Sequence, residues 1–185
     1  MVRSAPRSAV FLDLSGTLVE PVQVERLSEL EVLPSAAEAV ALLAAAGFIL
    51  PVVTTQSRIG RYFSGDEFER WFDELRSSHL PGLSTLYVCP HRLLAGCRCH
   101  KPSTELFERA VLDLDIDAAS SYMVGDSGSD IEAGVRMGLT TCLVMTGWGP
   151  QNSEADRTKA HLVCADVLEA AKWISGRKEG TRSGP

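Results

Sequence analysis

The chain has 185 residues, of which 45% are hydrophobic and 23% charged, enough for one domain with a substantial buried core. Its 18 basic and 24 acidic residues give a formal charge of −6, which argues against a nucleic-acid binder, because tracking a phosphate backbone needs clustered Lys and Arg. No apolar run approaches the roughly 20 residues that span a bilayer, and Met1 to Ala9 lacks the apolar stretch of a signal peptide, so a cytoplasmic protein with no membrane partner is expected.

Ser8 to Asp13 is a short apolar run closed by an acid, the pattern of a buried strand in a parallel sheet, and is expected at its centre. After an irregular stretch, Pro34 and Ser35 open an Ala-rich helix with Val40, Leu43 and Ala44 on one face and Gly47 at its end. A strand is predicted over Phe48 to Thr54, where Pro51 removes a ladder donor and implies a bulge or a place near an edge. Ser64 and Glu67 form a capping box, and Phe68, Trp71, Phe72 and Leu75 then recur at helical spacing as core residues. Thr85 to Cys89 reads as a third strand and Ser103 to Leu114 as a helix, with Leu106, Phe107, Ala110 and Val111 inward. Ser121 to Gly125 is a fourth strand, Asp130 to Met137 a helix closed by Gly138, and Leu139 to Met145 a fifth strand. His161 to Ala165 would add an edge strand, and Asp166 with Glu169 caps a last helix ending at Gly176. A single domain over residues 1–176 follows, with Arg177 to Pro185 as a disordered tail. Cys142 and Cys164 lie in apolar runs and read as core thiols.

Strands and helices alternate almost throughout, so the predicted architecture is α/β, a doubly wound, Rossmann-like parallel sheet with helices on both faces. Such sheets place ligands at the carboxyl ends of their strands. Three predicted strands end on Asp13, Thr54 and Asp126, which would meet at that edge. The surrounding words are Asp13-Leu14-Ser15-Gly16-Thr17, Thr54-Thr55-Gln56-Ser57, His100-Lys101-Pro102, and Gly125-Asp126 with Asp130 four positions on. In this order they resemble the four motifs of the haloacid dehalogenase superfamily, which implies that fold with little or no cap domain.

Each part also has a physical reason. A carboxylate can attack phosphorus and form an aspartyl phosphate, splitting one difficult hydrolysis into two easier steps, and Asp13 is placed for it. Repulsion between the two anions calls for Mg²⁺, with carboxylates from Asp13 and Asp126 and a backbone carbonyl at Ser15 as ligands. The hydroxyl of Thr54 and the ammonium of Lys101 are candidates to meet charge on the transferring oxygens. The plainer alternatives are an aspartate that caps a turn and a lysine that is a solvated charge. Asp130 would orient Lys101 or the metal, or else stabilise a helix dipole.

Between the third strand and its helix, Cys89-Pro90-His91 and Cys97-Arg98-Cys99 make a Cys₃His set, the closed tetrahedral number of a structural zinc site. Its expected work is to order the loop over residues 89–100 and hold His100 and Lys101 at the phosphate. Strand, zinc loop, then Lys-Pro is similar to the bacterial heptose bisphosphate phosphatases and the related histidinol phosphate phosphatases, over about Ala9 to Gly149. That resemblance implies a small phosphorylated sugar as substrate, lined by Thr55, Gln56, Ser57, His100 and Lys101, Mg²⁺ between Asp13 and Asp126, Zn²⁺ in the loop, and a monomer. The family's second aspartate, which protonates the leaving alkoxide, is Ser15 here, and loss of such an acid costs typically 10²- to 10⁴-fold. A slow phosphatase, a specialised one and a binding protein for a phosphorylated ligand or partner all remain open, with Glu20 or another nearby carboxylate as a candidate replacement. The family's asparagine, Arg-Lys pair and Gly-Asp-Lys are Thr55, His100-Lys101 and Gly125-Asp126-Ser127, and Val19 to Leu33 lacks its Gly-Tyr element.

Overall fold

Six short apolar runs become parallel neighbours in one sheet. The computed structural model describes residues 6–93 and 95–182. In chain order the strands are β1 (Val10–Leu12), β2 (Val19–Glu20), β3 (Glu31–Val32), β4 (Val52–Thr55), β5 (Leu86–Cys89), β6 (Tyr122–Gly125), β7 (Thr140–Val144) and β8 (Leu162–Cys164). All but β2 and β3 lie in one sheet of order β5-β4-β1-β6-β7-β8, and every pairing in it is parallel. β1 is interior, as its unbroken apolar run requires, with Leu12 opposite Val52 on one side and Val124 on the other.

Alternate residues feed two cores. Val10, Leu12, Val52, Val124 and Val144 pack on one face with Leu43, Ala170 and Ile174, which belong to α1 (Ala36–Ala45) and the last helix α6 (Val167–Arg182). Phe11, Val53, Tyr87 and Met123 point the other way, against Leu106, Phe107 and Ala110 of α3 (Glu105–Leu114) and Ala133 of α4 (Gly128–Arg136). α2 (Gly65–Glu74) starts at the expected reciprocal Ser64–Glu67 cap and buries Phe68 and Phe72. Cys142 and Cys164 are buried core thiols.

Four expectations change. Pro51 precedes β4 rather than interrupting it; β4 lies one strand in from the edge, between β5 and β1, and the Pro51 carbonyl accepts from Leu12 N at 3.0 Å. The stretch after β1 is not wholly irregular, because β2 and β3 close a small antiparallel hairpin. A helix unseen in the sequence, α5 (Glu154–Lys159), buries no residue and so has no hydrophobic period to reveal it. Finally, α6 does not stop at Gly176 but runs to Arg182, so residues 177–182 are helical and not a disordered tail; Ser183 to Pro185 lie outside the described residues. Arg177 sits over the Trp173 ring at 4.6 Å, an i,i+4 contact that carries the helix across the glycine. Among the described residues no helix is long and apolar enough to cross a membrane.

Candidate active site

The carboxyl ends of β1, β4 and β6 deliver Asp13, Thr54 and Asp126 to one place, and the loop after β5 delivers Lys101. The Lys101 ammonium reaches Asp13 Oδ1 at 2.6 Å, Asp130 Oδ1 at 2.5 Å and the Val53 carbonyl at 2.9 Å. Carboxylate oxygens of Asp13, Asp126 and Asp130 all lie within 4.8 Å of one another, and all three residues are buried. Lys101 is therefore not a surface charge. Asp130 reaches both the cap of α4 and Lys101. Its Oδ2 accepts from Ser127 N at 3.1 Å in the cap of α4, while Oδ1 faces Lys101.

Asp126 is held by the loop after β7. Trp148 N donates to its Oδ2 at 2.7 Å, and the Asn152 amide nitrogen donates to its carbonyl at 2.7 Å. Asn152 Oδ1 also accepts from Gly128 N at 2.7 Å, so one side chain ties the loop after β7 to the start of α4. Gly16 and Gly147 have φ of +89° and +53°, and a Cβ at either would run into Asp126 Oδ2.

Three carboxylates against one ammonium leave a net charge of −2 when all are ionised. Burial pushes Asp13 up to about 6, with Lys101 pulling it back and Asp130 adding to the rise. Burial likewise pushes Asp126 up to about 8, reinforced by the charges of Asp13 and Asp130. Burial works against the Lys101 ammonium, but Asp13 and Asp130 outweigh it and hold the group above the ordinary lysine range. Clustered carboxylate oxygens with excess negative charge are the donor set of a hard divalent cation, so these residues fit Mg²⁺.

These groups line a pocket of about 410 Å³. Thr55, Gln56, Ser57 and His100, expected at the substrate, all line it with Ser15. Gln56 Nε2 donates to Ser15 Oγ at 3.0 Å and to Thr54 Oγ1 at 3.1 Å, orienting both hydroxyls. The pocket's carboxylates are Asp13, Asp126 and Asp130 alone among the described residues. Glu20 does not stand in for the missing acid, because it lies exposed on β2 opposite Glu31. Val22, Gln23 and Val24, from the loop between β2 and β3, also line the pocket, as do Arg58 and Trp148. Sequence reading missed these last two and Asn152. Trp148 follows a strand end and was open to the rule that found Asp13 and Asp126, whereas nothing in the sequence marks Asn152.

Cys89, His91, Cys97 and Cys99 converge beside the pocket, with ligand atoms within 4.8 Å of one another. Cys89 Sγ lies 3.7 Å from Cys97 Sγ and from His91 Nδ1, and His91 Nδ1 lies 3.2 Å from Cys99 Sγ. A tetrahedron with Zn–S bonds of about 2.3 Å has edges of about 3.8 Å, so the set could hold zinc. Ser103 donates its hydroxyl to the Arg98 carbonyl and its N–H to the His100 carbonyl, closing the loop around Lys101.

The family model described as HAD-hyrolase-like matches residues 98–170. The D-glycero-beta-D-manno-heptose-1,7-bisphosphate 7-phosphatase of Haemophilus ducreyi is 32% identical over 91% of this chain and 99% of that protein. The enzyme of the same name from Pasteurella multocida is 33% identical over 93% and 99%. Among solved structures, the D,D-heptose 1,7-bisphosphate phosphatase of B. bronchiseptica, complexed with magnesium and phosphate, superimposes with a TM-score of 0.80 at 25% identity, covering 92% of this chain and 99% of that one.

Proposed function

The chain belongs to the haloacid dehalogenase superfamily, in the branch of the heptose bisphosphate phosphatases, and from there we propose that it is a Mg²⁺-dependent phosphatase acting on a sugar phosphate of the heptose bisphosphate type. The observation that carries the reading is the buried set of Asp13, Lys101 and Asp130 with Asp126 beside it, at the carboxyl ends of β1 and β6. Lys101 grips Asp13 Oδ1 and so orients the carboxylate as nucleophile. Asp13 attacks the phosphorus, the bond to the sugar oxygen breaks, and the alkoxide leaves from an aspartyl phosphate, which water then hydrolyses to free Asp13. The Thr54 hydroxyl, turned by Gln56, donates to the transferring phosphoryl group. Asp13, Asp126 and the Ser15 carbonyl would hold Mg²⁺, which supplies charge neutralisation at the phosphoryl oxygens. Cys89, His91, Cys97 and Cys99 would hold Zn²⁺, which would order the loop that presents His100 and Lys101.

Ser15 favours a second reading, a catalytically impaired relative that binds a phosphorylated ligand or a protein partner, because among the described residues the pocket has no carboxylate besides Asp13, Asp126 and Asp130 to serve as the acid. Phosphate release from sugar phosphates in the presence of Mg²⁺, against an Asp13→Asn control that is folded and zinc-loaded, tests the proposal. Turnover by the native chain no faster than by the control would remove the catalytic claim.

A further inference from the structure

Lys101 is the cation beside Asp13, and the same pocket is lined by a second permanently charged side chain. Arg58 lines the pocket half-buried, in the turn where Arg61 N and Tyr62 N both donate to its carbonyl at 3.1 Å. Its guanidinium lies 5.1 Å from the centre of the Tyr62 ring, and its Nη2 donates to Gln23 Oε1 at 2.9 Å. Gln23 belongs to the loop between β2 and β3 and lines the pocket too. Turn, ring and amide thus hold the guanidinium in place before any ligand arrives.

Among the described residues no carboxylate comes within 4.0 Å of Arg58. Lys101, by contrast, is already engaged by two carboxylates. Arg58 is therefore the permanent cation of this pocket that has no anion of its own, and the N–H groups not facing Gln23 remain to donate. A guanidinium fork matches phosphate oxygens in pairs, which a lysine cannot do. We propose that Arg58, supported by Gln23 and Tyr62, binds a second phosphate of the substrate, one that is recognised and not transferred, and so determines specificity for sugar bisphosphates. This deepens the phosphatase reading and rests on it.

The test compares matched pairs, fructose 1,6-bisphosphate with fructose 6-phosphate and glucose 1,6-bisphosphate with glucose 6-phosphate, on the zinc-loaded full chain with Mg²⁺. The native chain prefers the bisphosphate in kcat/KM, Arg58→Ala lowers that ratio by about tenfold or more, and Arg58→Lys restores part of it. A ratio near unity in the native chain, or one that Arg58→Ala leaves in place while both substrates suffer alike, would overturn the assignment. So would a preference for 6-phosphogluconate over the bisphosphates, which would make the second anion a carboxylate. If nothing is turned over, the phosphatase reading fails by itself, and calorimetric binding of the same pairs reads Arg58 independently. Tighter bisphosphate binding that Arg58→Ala abolishes then upholds the site, and equal binding of the two members of each pair overturns it.

Discussion

Lys101 Nζ stands 2.6 Å from Asp13 Oδ1 across a separation of 88 residues in the chain, and both side chains are almost wholly buried. An ion pair in that setting has lost its hydration, so each partner depends on the other.

Lys101→Met should therefore damage both fold and chemistry. It leaves Asp13 and Asp130 buried without their cation, which costs about 3–5 kcal/mol when one partner of a buried pair is removed. Urea unfolding should show that loss, and phosphate release should fall to the level of Asp13→Asn. Retention of native stability would mean that the ammonium contributes nothing net to the fold.

Ser15→Asp should raise the rate of phosphate release by about two decades, because a positioned carboxylic acid contributes roughly 10²- to 10⁴-fold. The site can accept the change, since Gln56 Nε2, which now donates to Ser15 Oγ, can donate equally to a carboxylate. Steady-state kinetics on one sugar phosphate decides it. An unchanged rate would favour the binding protein over the phosphatase.

Purified protein should carry about one zinc ion per chain, and Cys97→Ser, which removes a thiolate ligand, should lower that content. Hydrogen exchange should then speed up over residues 89–103 while the strand amides of β1 and β6 keep their protection. Uniform loss of protection would show instead that the loop is needed for the whole fold.

The raised acids make a signed prediction for pH. With the folded-state values at about 6 for Asp13 and about 8 for Asp126 against an ordinary 3.8, the folded chain binds more protons than the unfolded one between about pH 4 and pH 8. The stability these groups contribute is fully present below pH 3.8 and is lost as the pH rises through 6 and then 8. A divalent cation competes with those protons. Mg²⁺ should therefore raise the melting temperature of the zinc-loaded protein more at pH 8 than at pH 5. Scanning fluorimetry at the two pH values checks this, and an equal Mg²⁺ effect at both would show that the acids do not share the cation.

Much of the site was legible because the fold places its chemistry at strand ends. Asp13 and Asp126 close apolar runs, and hydrophobicity alone marks those runs. Cys89, His91, Cys97 and Cys99 are close in sequence, so their convergence needed only a loop. Misjudgements arose where the local signal was absent or ambiguous. α5 buries nothing, Gly176 looked like a helix stop, and Pro51 looked like a defect in a strand that begins one residue later.

By itself, the sequence determined the alternating α/β plan, the polar residues at the sheet's ligand-binding edge and the zinc-type donor set, because these follow from short-range period, punctuation and residue chemistry. Only the tertiary structure decided that Asp130 both caps α4 and pairs with Lys101, and that among the described residues the pocket has no carboxylate beyond Asp13, Asp126 and Asp130. It alone placed Trp148 and Asn152 around Asp126 and set Arg58 on the pocket wall beside Gln23. Those relationships are distances between segments as far as 130 residues apart, such as Thr146 Oγ1 on the Gly16 carbonyl at 2.5 Å, and the close packing of the whole chain is what makes them short.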